Sequence, residues 1–134
     1  MKTVLYVDDD AASRELCRRI LEDEGYRVVL AEDGAEAIGV VETESPDVAI
    51  LDIRMPQKDG LEAAEEIGAS HAALPIILYT GNEEVCMSDR RAQYASACIS
   101  KSSDFTELAR AVGRAVSQGK QDTSLRVGLP PVRG

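Results

Sequence analysis

Three unbroken apolar runs, residues 4–7, 48–51 and 76–79, constrain this chain's fold more than any other feature. They are too short for helices and lack the alternation of a half-solvated strand, which is the pattern of parallel strands covered on both faces. Residues 26–31 and 97–99 supply two more candidate strands, and between the runs lie stretches with helical spacing. Those stretches carry Leu16, Ile20 and Leu21, then Ala37, Val40 and Val41, then Leu61, Ala64 and Ile67. Five strands alternating with five helices through short loops predict a doubly wound α/β sandwich with right-handed crossovers.

Local chemistry marks the boundaries. Asp10 or Ser13 is placed to cap the first helix, Gly25 lies just past its end, and Ser45-Pro46 and Leu74-Pro75 precede the third and fourth strands. The fourth helix is the least defined, because Val85, Met87 and Tyr94 are the only large apolar residues from 83 to 94. The fifth is clearer: Asp104 can cap it with Glu107 three residues on, and Phe105, Leu108, Ala109, Val112 and Val116 form an apolar stripe. Residues 1–118 read as one domain, and 119–134, with turn-forming composition and no period, as a flexible tail or linker remnant.

A formal charge of −9 has the wrong sign for neutralising a phosphate backbone, so no direct nucleic-acid binding is expected. No apolar run approaches the roughly 18 residues of a membrane span, which predicts a cytoplasmic protein with no membrane insertion. Cys17, Cys86 and Cys98 are odd in number and have no C-x-x-C spacing, so they read as reduced thiols. With His71 as the single imidazole, a histidine-rich metal site is excluded, and His71 itself reads as a surface loop residue.

The residues that end the apolar runs carry the chemistry: Asp8 and Asp9, Asp52, Thr80 and Lys101. In an open parallel sheet, ligands bind beyond the carboxyl ends of the strands, near the point where strand order reverses. A lone acid after a strand is usually a cap, as expected for Asp10, but three converging carboxylates repel and must take up protons or hold a cation. Oxygen ligands of this kind suit Mg2+. Lys101 could simply offset the acids, yet a hydroxyl, an ammonium and a divalent cation around one carboxylate also form a cage for a transferring phosphoryl group. Asp52 is then the nucleophile, followed by Met55-Pro56 and Asp59-Gly60, a loop able to offer a backbone carbonyl to the metal.

These motifs resemble the receiver domains of bacterial two-component response regulators over about residues 2–118. Val7-Asp8-Asp9-Asp10 resembles the family's acidic motif, Leu51-Asp52-Ile53-Arg54-Met55-Pro56 with Asp59-Gly60 its phosphoacceptor segment, Thr80-Gly81 its switch hydroxyl, and Lys101 its lysine. The resemblance implies a flavodoxin-like (βα)5 fold with sheet order 2-1-3-4-5. It also implies Mg2+ on Asp9, Asp52 and the Arg54 carbonyl, with Asp8 acting mostly through water, and phosphorylation of Asp52 by a sensor histidine kinase or phosphotransfer protein. Thr80 would then swing toward the phosphoryl group and Lys101 would bind another of its oxygens. The surface of the fourth helix, fifth strand and fifth helix would report the state to a downstream protein.

The chain departs from that pattern at three places. Cys98 stands where the family commonly has Tyr or Phe, and reads as a small buried strand residue at a switch and output position; Tyr94 is the alternative source of a ring. Ser102-Ser103 follows Lys101 where the family usually has a cis-Pro, which predicts a trans bond because a non-proline cis bond costs roughly 2.5 to 4 kcal/mol. Tyr94-Ala95-Ser96 lacks the glycine that would end the fourth helix, so that helix is expected to be reshaped. Arg54 and Asn82 occupy positions where the family tunes phosphate lifetime.

The principal expectation is a stand-alone receiver that signals by phosphorylation-dependent protein contact, not an enzyme beyond its own phosphorylation and dephosphorylation. One alternative is an aspartate-nucleophile phosphatase, disfavoured by Ala12 where its motif has threonine or valine. The other is a phosphorylation-independent, degenerate receiver acting as an interaction module.

Overall fold

The structure, a computed structural model, describes residues 1–55, 58–82, 84–101 and 105–118. The tail from 119 onward, the Asp104 cap and the Lys101-Ser102 bond lie outside them. The chain runs β1 (Thr3–Val7), α1 (Ala11–Asp23), β2 (Arg27–Ala31), α2 (Gly34–Glu44), β3 (Val48–Asp52), α3 (Gly60–Ser70) and β4 (Ile76–Thr80). It continues through α4 (Glu84–Ser88), a 3-10 turn (Arg90–Tyr94), β5 (Ala97–Ser100) and α5 (Phe105–Gln118). All pairings are parallel and the sheet order is β2-β1-β3-β4-β5, as expected.

Every residue of β1, β3 and β4 is buried, which is why these strands show no polar alternation. Their side chains alternate between two cores. Leu5, Val7, Ala49, Leu51, Ile76 and Leu78 pack under α2, α3 and α4, while Val4, Tyr6, Val48, Ile50, Ile77 and Tyr79 pack under α1 and α5. The sheet grows outward in both directions from β1 and β3, so its switch point lies between the ends of those two strands.

Caps follow local chemistry. Asp10 accepts from the Ser13 amide at 2.9 Å and starts α1, while Gly25, at φ 100°, lies just past its end in a conformation glycine adopts without strain. Asp33 caps α2, and Asp59 with Glu62 forms a capping box on α3. In α1 the sequence pattern is partly misleading: Leu21 is buried but Leu16 is 48% exposed, and Cys17 takes the core position beside it. The α5 stripe forms around Leu108, Ala111 and Val112.

The segment expected as a fourth helix is reshaped. It splits at Asp89, whose carboxylate accepts the Arg91 amide and pairs with its guanidinium at 2.8 Å, leaving a five-residue α4 and the 3-10 turn. Without a glycine, the turn ends in extended backbone at Ala95. Tyr94 packs on α3, where a Cβ on Gly68 would come within 2.5 Å of its ring. Gly68→Ala should therefore cost about 1–3 kcal/mol through overpacking, whereas Gly39→Ala in α2, with open space around it, should gain up to about 1 kcal/mol. Thermal unfolding of the two variants checks the opposite signs.

The thiol reading needs correction: Cys86 of α4 and Cys98 of β5 form a disulfide, and Cys17 alone of the three is a thiol. The two half-cystines are 12 residues apart and have no sequence spacing that signals pairing. They meet because the chain turns back through the 3-10 segment onto β5, bringing their Cα atoms to 6.5 Å, within the usual range for a bridge. Cys98 is half-buried rather than fully enclosed.

Candidate functional site

β1 and β3 lie side by side, with Val7 opposite Leu51, so the residues that follow them emerge at one edge of the sheet. Asp8 is buried, Asp9 is exposed, and the Asp52 side chain is 12% exposed. One oxygen from each of the three lies within 4.8 Å of the others. β5 brings Lys101 to the same edge, where its amide donates to the Thr80 carbonyl at 2.8 Å. The Lys101 Nζ sits 3.1 Å from both Asp8 Oδ2 and Asp52 Oδ2, and 5.5 Å from the centre of the Tyr79 ring.

Asp8 is extensively bonded. Its Oδ2 accepts from the Tyr6 hydroxyl at 2.8 Å as well as from Lys101, and its Oδ1 accepts from the Asp10 amide at 3.0 Å. Arg14 donates to its backbone carbonyl at 2.7 Å. Asp52 has fewer partners, with Lys101 on Oδ2 and the Arg54 amide 3.3 Å from Oδ1. The backbone behind it leaves no spare room: the Gly60 amide donates to the Ile53 carbonyl, and a Cβ on Gly60 would fall 2.1 Å from the Asp52 carbonyl oxygen. Glycine is therefore required where α3 starts against the end of β3.

Burial pushes the Asp52 carboxyl above the ordinary carboxylate range, and Lys101 only partly opposes it. For Lys101, burial disfavours the charge, but the Asp52 and Asp8 carboxylates together hold the ammonium above the usual lysine value. Burial also keeps the Tyr6 phenol protonated far beyond the ordinary range, so it remains a donor to Asp8.

The structure thus brings Asp8, Asp9, Asp52 and Lys101 together. Thr80 is buried on the neighbouring strand, but its hydroxyl is engaged with Asn82, accepting from the amide at 2.9 Å and donating to the carbonyl at 3.4 Å. The Arg54 side chain is exposed, and its amide is the group directed at Asp52. His71 lies far along the sheet, at the end of α3, bonded to Glu42 at 2.7 Å on the surface. Tyr6 and Arg14 were not anticipated. Tyr6 had a signal, since two residues before Asp8 in a strand is the same face; Arg14 had none beyond lying one turn into α1.

Three adjoining carboxylates of which one is exposed fit a hard divalent cation such as Mg2+, which prefers oxygen ligands and retains several waters. Of the two buried carboxylates, Asp52 has fewer hydrogen-bond partners than Asp8.

An open parallel sheet of order 2-1-3-4-5 with an acidic trio and a lysine at its switch point defines a receiver-type α/β domain. The chain belongs to the response regulator receiver domain family, whose model matches residues 4–113. Response regulator MprA of Mycolicibacterium vanbaalenii is 43% identical over 82 residues, 61% of this chain and 36% of the relative; MprA of Mycobacterium avium matches to the same extent. The chain thus spans about a third of the length of these curated relatives. Among solved structures, Thermotoga maritima response regulator TrrA in complex with Mg2+-BeF is similar at 38% identity and TM-score 0.81, covering 85% of this chain and 98% of that one. TrrA in complex with histidine kinase ThkA gives 38% and 0.78, over 85% and 97%. A CheY-like receiver domain from Methanospirillum hungatei gives 28% and 0.78, over 88% and 95%.

Proposed function

We propose that this receiver domain accepts a phosphoryl group on Asp52 from a histidine kinase or phosphotransfer protein, in a Mg2+-dependent reaction, and signals by changing its protein-binding surface. The observation that carries the proposal is the convergence of the Asp8, Asp9 and Asp52 carboxylates within 4.8 Å, with Lys101 bonded to two of them. The complexes of TrrA with Mg2+-BeF and with a histidine kinase support the same reading by similarity.

Asp9, Asp52 and the Arg54 carbonyl would hold the metal. Asp8, whose oxygens are already committed to Tyr6, Lys101 and the Asp10 amide, would act through water. Bound there, Mg2+ supplies positive charge to the oxygens of the transferring group. Asp52 attacks phosphorus as the N–P bond of a phosphohistidine donor breaks, and the imidazole leaves with a proton from solvent. Lys101 exchanges its bond to Asp52 for one to a phosphoryl oxygen while keeping Asp8. Thr80 gives up its bonds to Asn82 and turns its hydroxyl to another oxygen, which is the start of the signal. Transfer from a kinase places this step in the cytoplasm.

A small acyl-phosphate donor tests the proposal. Intact mass should show a gain of one phosphoryl group in the native protein with Mg2+ and none after chelation. No adduct under either condition would overturn Asp52 as acceptor and favour the phosphorylation-independent interaction module.

A further inference from the structure

The Cys86–Cys98 pair is the part of the molecule that the phosphoryl site does not use, and it lies on the path from that site to the surface. Thr80 is bonded through its hydroxyl to the Asn82 backbone. Asn82 in turn starts α4: its Oδ1 accepts the Glu84 amide at 3.2 Å and its carbonyl accepts the Val85 amide at 3.3 Å. Cys86 is in that same turn, 4% exposed, and its sulfur is joined to Cys98 on β5, the edge strand of the sheet. A five-residue helix cannot sustain itself, because its hydrogen bonds are too few to repay nucleation. Its position depends on the buried Cys86 side chain and on the covalent tie.

We propose that Cys86 and Cys98 are a reversible thiol–disulfide modification site that fixes α4 to β5 when oxidised and frees it to follow Thr80 when reduced. The regulatory half rests on the receiver reading above. The oxidant class is a small disulfide such as glutathione disulfide. Cys98, the more exposed of the two, attacks one of its sulfurs as a thiolate, breaking the oxidant's S–S bond and releasing one glutathione, which takes the proton Cys98 gave up. Cys86 then attacks the Cys98 sulfur of the mixed disulfide, and the second glutathione leaves with the Cys86 proton. Two cysteines are oxidised by two electrons, and one glutathione disulfide is reduced to two thiols. Excess glutathione reverses both steps. Disulfides in a reducing compartment are usually transient and redox-sensing rather than structural, so a pair at this point in the chain would act as a gate. Cys17 lies 1% exposed in the core on the opposite face of the sheet and serves as an internal reference.

The native chain would be equilibrated across glutathione ratios, trapped by alkylation in denaturant and weighed. The expected count moves between three alkylated thiols and one, with a loss of two hydrogens; three thiols at every ratio, or a glutathione adduct that never closes, would overturn the pair. Amide exchange in residues 84–96 should be at least tenfold faster in the reduced protein, and equal rates would overturn the tether. With Mg2+ and an acyl phosphate, the reduced protein should change its exchange in this segment while the oxidised one changes little, and Cys86→Ser/Cys98→Ser should behave as reduced in both buffers. An identical response in both redox states would overturn the gate. Absence of any adduct would instead sink the acceptor assignment and the gate with it, with the thiol count still deciding the pair by itself.

Discussion

Asp52→Asn is expected to lose the phosphoryl adduct completely and, in metal-free buffer at neutral pH, to melt higher than the native protein. Both effects follow from one carboxylate. Asp52 is the nucleophile of the proposed reaction, and an amide at position 52 cannot attack phosphorus at a comparable rate, while Asp8 has its oxygens bonded to Tyr6, Lys101 and the Asp10 amide. As a buried anion it is disfavoured, because burial raises its carboxyl above the ordinary range despite Lys101. A folded-state value above the unfolded one means that the native protein binds the proton more tightly, so this group's contribution to stability grows as pH falls and is lost as pH rises through the folded value. The advantage of Asp52→Asn should thus be largest near neutrality and shrink on acidification. Mg2+ should raise the melting temperature of the native protein and much less that of the variant, since binding to the folded state alone stabilises it. Intact mass after acyl-phosphate treatment and melting curves between pH 5 and 8 check these points; an adduct surviving in Asp52→Asn would refute the assignment.

The same carboxylate shows why much of the site was legible in the sequence. Asp8, Asp52, Thr80 and Lys101 each end an apolar run, and in a parallel sheet the ends of strands are where the chain leaves the core, so position in sequence translates directly into position in space. Strands β1, β3 and β4 were legible for the related reason that burial on both faces leaves no polar residue inside them. What failed depended on contacts between separate elements. Leu16 has helical spacing with Ile20, yet α1 turns Cys17 and Leu21, also four residues apart, to the core and leaves Leu16 exposed, because packing and not the period alone chooses which face is buried. The break of the fourth helix at Asp89 needed the Arg91 pair, and the Cys86–Cys98 bridge needed the fold of the chain between them. The hydrogen bonds of Thr80 to Asn82 are likewise local contacts that no motif encodes.

Lys101→Met should be the most destabilising single change at the site. The lysine bridges two carboxylates, each 3.1 Å from its Nζ, and offsets one of their two charges, whereas methionine retains an apolar stem over Tyr79 but no charge. Removing one partner from a buried ion pair leaves uncompensated charge at a cost of about 3–5 kcal/mol. The Lys101 side chain is 30% exposed, so solvent screening reduces this to about 2–3 kcal/mol, or roughly 10 °C in melting temperature for a domain of this size. Mg2+ should recover much of the loss, because a cation among the same carboxylates replaces the missing charge. Adding Asp52→Asn should recover part of it without metal, since one of the two repelling anions is gone; the double variant should therefore be more stable than Lys101→Met alone, a coupling that a double-mutant cycle reads directly. Strict additivity, with Lys101→Met equally costly in both backgrounds, would mean that the lysine contributes packing rather than charge. On the proposed mechanism phosphorylation should fall as well, and should fall in the Mg2+-stabilised protein too, because metal restores the fold without returning the ammonium assigned there to a phosphoryl oxygen.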